Sequence, residues 1–133
     1  MEAWEELAPE LPPNWSIRLH LPASEEHNEP ELVSAMDARG GEVYWGTREE
    51  CERRAWDAFG ITRKRYAELI AVELVREAAI EKRGRLELAV KHTHGDGIQA
   101  FEVLWWGKVL ARGIGYDICT AALATIQALG GGE

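Results

Sequence analysis

Short stretches of alternating hydrophobic and polar residues occur in the first third of the chain. Residues 16–21, Ser-Ile-Arg-Leu-His-Leu, alternate in this way and predict a half-buried strand, because successive side chains of a strand point to opposite faces. Residues 42–45, Glu-Val-Tyr-Trp, predict a second strand. Both strands are expected to join an antiparallel sheet.

The segment between these two strands predicts a short helix. Asn28, Glu29 and Pro30 form a typical helix start, with Asn28 as the capping residue. Apolar residues follow at helical spacing, and the glycines at 40–41 end the pattern. Residues 1–15 contain prolines that limit any helix there to two turns, so this segment is predicted to be an arm or a lid.

Two helices separated by a glycine are predicted in the middle of the chain. Thr47 caps a helix over about 48–59, and Gly60 ends it because glycine adopts a left-handed conformation at little cost. Thr62 caps a second helix that continues to about Arg83. Apolar residues cover more than one stripe of this second helix, so both of its sides are predicted to be packed.

The period of the apolar residues changes from 3.6 to 2 in the last third of the chain. Residues 86–90 predict a strand, 94–97 a turn, and 101–106 a returning strand. A third strand over 109–112 completes a meander. Residues 118–129 then predict the closing helix.

These elements predict an α+β fold in a single domain that spans residues 1–133. An antiparallel sheet, made of the meander plus one or two N-terminal strands, is expected to carry the central helical hairpin and the C-terminal helix. Residues 130–133 are expected to fray. A chain of 133 residues that is 46% hydrophobic fits one compact domain with its own core.

The composition predicts neither a membrane protein nor a secreted one. The longest apolar run is far shorter than the roughly 18–20 residues that span a bilayer, and the acidic start lacks the positive charge of a secretory signal. Cys51 and Cys119 lack the spacing of a metal or redox motif, so we expect buried thiols. The chain is predicted to be cytoplasmic and to use no cofactor.

Negative charge is concentrated near the N-terminus. The formal net charge is −8, and residues 1–47 carry ten acidic side chains and two basic ones. This balance disfavours a protein that coats nucleic acid or an anionic membrane. Glu25, Glu26, Glu29 and Glu31 are therefore predicted to contact a basic partner. A solvated acidic face that keeps the protein soluble is the alternative.

Five of the six tryptophans form a second candidate contact surface, because this residue is common at protein interfaces. Adjacent residues of a strand face opposite sides, so one indole of the pair at 105–106 is expected in the core and the other on the far face of the sheet. A covering of that face by the N-terminal arm is the alternative. The tryptophans predicted to contact a partner are Trp4, Trp15, Trp45, Trp105 and Trp106.

His92, His94 and Asp96 alternate along one extended segment and form a candidate metal site. Alternate side chains of a strand point the same way, so two imidazoles and a carboxylate could face one zinc ion, with His20 as a further ligand. The segment Leu-Ala-Val-Lys-His-Thr-His-Gly-Asp-Gly-Ile resembles the metal-binding loop of the metallo-β-lactamase superfamily, although Gly97 stands where that loop has a further histidine. A polar hairpin turn with solvated histidines is the alternative.

Residues 53–69 resemble a helix-turn-helix. A glycine lies in the turn, and apolar residues follow at the spacing of the core contacts of that motif. Arg63, Lys64 and Arg65 oppose the dipole of their helix, so they are candidates for a contact with nucleic-acid phosphates. Trp56, however, stands where the motif has a small residue. A structural helical hairpin with a basic rim is the alternative.

No group of residues in the sequence predicts a catalytic site. The chain has three serines, and neither cysteine has an adjacent histidine. Gly113 and Gly115 precede the last helix as in a phosphate-binding loop, but a third glycine at the required spacing is lacking. Asp117 would repel a phosphate there and suits the helix dipole without any ligand. The protein is therefore not predicted to be an enzyme.

The last part of the chain has a family resemblance. Residues 113–123, which follow a tryptophan-rich hairpin, are similar to the end of small phage-encoded proteins of the phage ABA-sandwich type, which pair a sheet with a terminal helix bearing an Ile-Cys-x-Ala-Ala-Leu run. This resemblance implies a phage source. Small acidic phage proteins that lack the motifs of an enzyme commonly act by binding and blocking a host macromolecule.

The leading hypothesis is an acidic protein-binding module. We expect a phage-encoded inhibitor, located in the host cytoplasm, of a nucleic-acid-processing machine such as a CRISPR effector or RNA polymerase. Its acidic third would occlude the basic surface of a host protein or nucleoprotein complex, or mimic nucleic acid there, and its tryptophans would anchor it. The alternatives are a helix-turn-helix DNA-binding regulator and a small metal-dependent enzyme that uses His92 and His94. The partner's identity and the oligomeric state stay open.

Overall fold

Helices and antiparallel sheets alternate along the chain in the computed structural model, which describes residues 2–131. Within that range there are four helices and two three-stranded antiparallel sheets, which confirms the predicted α+β class. The elements are α1 (Ala3–Leu7), β1 (Ser16–Leu21), β2 (Leu32–Met36), β3 (Glu42–Gly46), α2 (Arg48–Phe59), α3 (Arg63–Arg83), β4 (Leu88–Gly95), β5 (Ile98–Trp105), β6 (Lys108–Gly115) and α4 (Ile118–Gly131).

The chain divides into two compact units. Unit 1 combines the segment that ends at Ala8 with the chain from Lys64 onwards, and unit 2 is the continuous segment Pro9–Arg63. Each sheet lies within one unit, since β1 to β3 belong to unit 2 and β4 to β6 to unit 1. The expectation of a single sheet, in which N-terminal strands join the meander, is therefore wrong, because within the described residues β1 to β3 pair only with one another. The N-terminal segment predicted to be one arm is therefore split between the two units.

Unit 2 is built on the sheet β1-β2-β3, with β2 in the centre. Ile17, Ala35 and Tyr44 are paired across the three strands and so share one face. Helix α2 packs on this face, where the fully buried Cys51 contacts the core cluster. Trp15 packs against the same cluster from the segment that precedes β1.

The prediction of a helix after Asn28 is wrong, because residues 32–36 form the central strand β2. Val33 and Ala35 face the core, while Ser34 lies on the opposite face, and all three residues are fully buried. A strand that is covered on both faces has few polar positions, so its apolar residues also fit the spacing of a helix. Glu29, expected in the first turn of a helix, instead forms an isolated β-bridge with Ser24.

The bounds of the two central helices agree with the sequence prediction. Gly60 ends α2 with φ of 97°, a left-handed conformation that glycine adopts without strain. The Thr47 hydroxyl caps α2 by accepting a hydrogen bond from the Glu50 amide at 3.3 Å. The Glu50 carboxylate accepts a hydrogen bond from the Tyr44 hydroxyl at 3.4 Å.

Unit 1 is built on the meander β4-β5-β6, with helices α3 and α4 packed around its core. Phe101 and Val103 of the central strand are fully buried there. Helix α3 contributes a stripe of small residues at every fourth position, and α4 contributes a second set. Because Leu69 is 57% exposed, the expectation that both sides of α3 are packed is wrong at that position. The α3 stripe consists of Ala67, Ala71, Val75 and Ala79.

Both turns of the meander place two successive residues in the left-handed region. Asp96 and Gly97 form the first turn, with φ of 53° and 77°. Trp106 and Gly107 form the second, with φ of 54° and 76°. Such pairs are typical of type I′ hairpin turns, whose twist matches that of the strands.

Strand β6 and helix α4 are in close contact at two glycines. A Cβ atom added to Gly113 would collide with Thr125 and with the carbonyl oxygen of Ala121. A Cβ atom on Gly115 would lie 2.8 Å from the backbone nitrogen of Ala121. The two glycines therefore let helix and strand approach each other.

The C-terminal helix is longer than the pattern predicts. Gly130 and Gly131 are helical, so fraying at these two positions is wrong, and the other two residues of that expectation, 132–133, lie outside the described residues. At the other end of the chain, α1 packs against Cys119 and Ala67 of unit 1 through Trp4 and Leu7. In the part of the chain that the structure describes, no helix is long and apolar enough to cross a membrane.

Candidate functional site

The face of the unit 2 sheet opposite to α2 carries a compact group of polar and aromatic side chains. Arg18, Ser34 and Trp45 are paired across the three strands and so point to this side. The imidazole of His20 stacks on the indole of Trp45, with ring centroids 3.6 Å apart and ring planes 15° apart. We call this group the outer sheet face. It consists of Arg18, His20, Ser34, Met36, Glu42 and Trp45.

Glu42 connects three side chains of the outer sheet face. Its carboxylate accepts hydrogen bonds from Trp45 Nε1 at 3.0 Å and from Arg18 Nη1 at 3.3 Å. Its Oε1 atom also lies 3.7 Å from His20 Nε2. Trp45 is thereby held from two sides, although 49% of its surface is exposed. A large aromatic ring that is fixed and still exposed is typical of an interface anchor.

Ser34, His20 and Glu42 do not form a catalytic triad. A triad needs the acid on one imidazole nitrogen and the serine on the other, whereas here Nε2 faces both groups, at 2.9 Å from Ser34 Oγ and 3.7 Å from Glu42. The Ser34 side chain is fully buried, and its hydroxyl donates to the sulfur of Met36 at 3.8 Å. This geometry positions the aromatic ring and does not present a nucleophile.

An acidic loop connects β1 to β2. We define the acidic loop as residues 24–29, closed by the bridge between Ser24 and Glu29. Glu25, Glu26 and Glu29 are exposed on it, and their contact with a partner stays a prediction. Glu31, predicted to belong to the same contact surface, is half-buried, and its carboxylate accepts a hydrogen bond from Arg48 Nε at 2.7 Å.

Trp15 and Trp4 differ from Trp45 in their surroundings. The sequence predicts that all three contact a partner, but Trp15 does not lie on the outer sheet face, since it packs against the core cluster of unit 2 on the side of α2. Trp4 is half-buried in unit 1, where it packs against the cluster that contains Ala67 and Cys119. Trp45 is the member of this trio that presents its ring to solvent.

Trp105 and Trp106 are not arranged as neighbours on a strand. Trp105 ends β5 and lies beside Arg83, whose guanidinium is 5.5 Å from the indole centroid. Trp106 lies in the following turn and is 56% exposed. The alternation of faces along a strand therefore does not apply to this pair, because the second residue has left the strand.

The candidate metal ligands are not brought together. Within residues 2–131, no group of three or more His, Cys, Asp or Glu side chains is placed to hold a metal ion. His92 Nε2 is 2.8 Å from the side-chain oxygen of Gln99, and its ring stacks on Phe101 with centroids 4.5 Å apart. The rings of His92 and His94 are 6.1 Å apart, and Asp96 lies in the turn beyond them. His20 bonds Ser34 in its own sheet.

The three cations at the start of α3 each have an acidic neighbour in the same chain. Arg63 and the Glu52 carboxyl line one cleft of unit 2. Arg65 Nη1 is 3.6 Å from Glu68 Oε2. Lys64 contributes to a lowered pKa of Asp117. Each of these cations therefore has an acidic side chain of the same chain near it. Contact with nucleic acid stays a prediction.

Sequence reasoning missed that Ser34 and Glu42 support the predicted contact residue Trp45. The necessary signal was the pairing of β2 with both neighbouring strands, which aligns Arg18, Ser34 and Trp45. Once residues 28–39 are assigned to a helix, this alignment cannot be found. His20 was considered only as a metal ligand for the same reason.

Comparisons with known proteins add no relative to this description. No family model, no curated protein and no solved structure matches the chain. The likeness of residues 113–123 to phage proteins remains a prediction.

Proposed function

We propose that this protein acts by binding another protein, and that the outer sheet face and the acidic loop of unit 2 form the contact surface. The observation that carries the proposal is the half-exposed indole of Trp45, held by stacking on His20 and by the hydrogen bond to Glu42. An aromatic side chain that is fixed before binding loses little conformational entropy when a partner covers it. Such residues contribute much of the binding energy at protein interfaces.

The charge of unit 2 supports a basic partner. Residues 9–63 contain eleven acidic and six basic side chains, and the exposed glutamates of the acidic loop adjoin the strand that carries His20. Charge complementarity of this kind accelerates association with an oppositely charged surface and disfavours other partners. In this proposal the acidic loop guides the encounter and Trp45 holds the complex.

The partner that fits this chemistry best is a protein whose basic surface otherwise binds nucleic acid. An acidic module on that surface would compete with the nucleic acid for the same arginine and lysine side chains. Inhibition of a nucleic-acid-processing machine, such as a CRISPR effector or RNA polymerase, by a phage-encoded protein is the specific form of the proposal. It builds on the resemblance of the last helix to phage proteins and on the acidic balance of unit 2.

The first experiment is to capture the partner on immobilised protein from a lysate of the source cells, with and without nuclease treatment. We expect a protein that is retained after nuclease treatment and elutes at moderate salt. Association and dissociation rates of the captured protein are then measured with the triple variant Glu25→Gln, Glu26→Gln, Glu29→Gln and, separately, with Trp45→Ala. The triple variant should associate about tenfold more slowly at low salt, as loss of electrostatic steering predicts.

The Trp45→Ala variant should dissociate about 30-fold faster, which corresponds to about 2 kcal/mol for an interface anchor. Matched controls lie in unit 1. The triple variant Glu73→Gln, Glu77→Gln, Glu81→Gln on α3 changes the net charge by the same amount. Trp106→Ala removes another exposed indole, one that the sequence predicts to contact a partner but that lies outside the surface proposed here. Retention that is lost after nuclease treatment would favour nucleic-acid binding. Equal effects of the test and control variants would contradict the proposed surface.

A further inference from the structure

A cleft of about 440 Å³ lies in unit 2, between helix α2 and the turn that follows it. It is separate from the outer sheet face, because α2 packs on the other side of the sheet. Its size is within the range of pockets that hold small molecules or single side chains. The lining residues are Glu10, Glu49, Glu52, Arg53, Trp56, Asp57, Gly60, Ile61, Thr62 and Arg63.

The walls of the cleft are fixed by the surrounding structure. The buried Trp56 donates a hydrogen bond from Nε1 to the carbonyl oxygen of Glu10 at 2.9 Å, which ties α2 to the segment ahead of β1. The Gly60 amide donates to the carbonyl oxygen of Trp56 at 3.2 Å and ends the helix at the cleft. Trp56 and Ile61 supply apolar surface between these two fixed points. A ligand would therefore meet a preformed site.

The charges that line the cleft favour a cation. Four carboxylates and two guanidiniums face it, so acidic groups are in excess. Burial raises the pKa of the Glu52 carboxyl, and the neighbouring Glu10 raises it further, although Arg48 and Arg63 act in the opposite direction. A carboxylate that has lost part of its hydration beside a second carboxylate is stabilised by a bound cation.

We propose that this cleft binds the side chain of one arginine of the protein partner. The guanidinium would pair with the carboxylates of Glu10 and Glu52, and the methylene groups would lie against Trp56 and Ile61. Arginine suits this site better than lysine, because its planar guanidinium is weakly hydrated, pairs with two acceptors at once and stacks on aromatic rings. The inference rests on the proposed function in one respect, namely that the occupant belongs to a basic protein.

The test uses the full chain labelled with ¹⁵N and two small probes. N-acetyl-arginine methylamide is titrated into the protein, and the citrulline analogue serves as a neutral probe of nearly the same shape. We expect saturable shifts of the Gly60, Ile61 and Thr62 amides at millimolar arginine probe, and at least tenfold weaker binding of the citrulline probe. Glu52→Gln should weaken arginine binding at least fivefold, whereas Glu77→Gln, at an exposed position of α3 in unit 1, should leave it unchanged.

Several outcomes would overturn the inference. They are the absence of saturable shifts, equal binding of the arginine and citrulline probes, and unchanged binding in Glu52→Gln. Shifts of the same amides by inorganic phosphate would instead indicate an anion site on Arg53 and Arg63. If Glu52→Gln does not fold, Glu10→Gln, at an exposed position, tests the same pairing. No partner is needed here, so failure of this test and failure of the proposed function are distinguishable.

Discussion

Unit 1 and unit 2 differ in the number of hydrophobic residues they bury and in their balance of acidic and basic groups. Of the seventeen hydrophobic residues that are buried in the described part of the chain, twelve belong to unit 1 and five to unit 2. Charge shows the reverse imbalance, since unit 1 carries twelve acidic and nine basic groups while the smaller unit 2 carries eleven acidic and six basic ones. Burial of apolar surface is the main source of stability. The comparison indicates that unit 1 is the better stabilised part and that unit 2 is the better suited to binding.

The two sheets also differ in the contacts that fix their side chains, which are close packing in unit 1 and polar contacts in unit 2. In unit 1, Gly113 of β6 lies directly against Thr125 of α4, a contact that depends on close packing. In unit 2, Glu42 and His20 hold Trp45 through hydrogen bonds and stacking on a face that solvent reaches. Close packing gives rigidity, and a polar network keeps an exposed group in one orientation.

The largest effect is expected where unit 1 is packed most closely. Gly113→Ala should lower the free energy of unfolding by about 3 kcal/mol, because α4 must move away from β6 to accept the added Cβ. Gly95→Ala is the matched control, since a Cβ there meets nothing within 4 Å, and it should change stability by less than about 0.5 kcal/mol. Urea unfolding followed by circular dichroism measures both. Equal losses in the two variants would show that this contact tolerates a methyl group.

Much of the fold could be predicted from local signals. Strand β1 and helix α2 have strong signals of their own, namely alternation in one case and the Thr47 and Gly60 caps in the other, and both have the predicted bounds. Strand β2 has no such signal, because both of its faces are buried, so its residues do not alternate between buried and exposed positions. The close contact at Gly113 also depends on residues that only the fold brings together.

Less of the candidate site could be predicted. The acidic glutamates at 25, 26 and 29 and the exposed Trp45 were found from composition and residue type alone. The contacts that support Trp45 could not be found in this way, because the hydrogen bond between His20 and Ser34 joins residues fourteen positions apart on two neighbouring strands. Glu31 was assigned to the contact surface because it is an acidic neighbour in sequence, whereas in the fold it is paired with Arg48.

The two buried cysteines allow the stabilities of the units to be compared directly. Cys51 belongs to unit 2 and Cys119 to unit 1, and burial raises the pKa of both thiols, that of Cys119 to about 11. Neither thiol should react with a maleimide until its unit opens. We expect Cys51 to be labelled about tenfold faster than Cys119, because the unit with fewer buried residues opens at a lower free-energy cost.

Mass spectrometry of the digested protein measures the two labelling rates under native conditions. The single variants Cys51→Ser and Cys119→Ser serve as controls, since each leaves one thiol as the reporter. Equal rates would indicate that both units open in one cooperative event, which would contradict a difference in local stability.

A smaller effect is expected at the start of α4. Asp117 caps this helix by accepting hydrogen bonds from the Thr120 amide at 2.8 Å and the Thr120 hydroxyl at 2.7 Å. Burial alone would raise the pKa of Asp117, but these bonds, the Cys119 amide and Lys64 lower it. Asp117→Ala should therefore cost about 1 kcal/mol near neutral pH.

The lowered pKa of Asp117 determines how its contribution to stability changes with pH. A carboxyl with a lowered pKa in the folded state stabilises the fold above the ordinary value of 3.8, and this contribution is lost as the pH falls through the lowered value. The difference between the wild-type protein and Asp117→Ala should therefore shrink in acid. Asp117→Asn retains an acceptor and does not titrate, so its stability relative to Asp117→Ala should stay constant over the same pH range. A difference that grows in acid would contradict the assigned direction.

The smallest effect on stability is expected when a single charge of unit 2 is removed. Glu31→Gln should destabilise the protein by about 0.5 kcal/mol at low salt, because it removes the ion pair with Arg48, and the loss should diminish as salt is added. Glu26→Gln, an equal change of charge in the exposed acidic loop, should cause no loss, since like charges repel in this unit. Urea unfolding at two salt concentrations separates the two variants. If both substitutions stabilise the protein, repulsion among the carboxylates outweighs the ion pair, and unit 2 maintains its acidity at a cost in stability, as expected for a surface that serves binding.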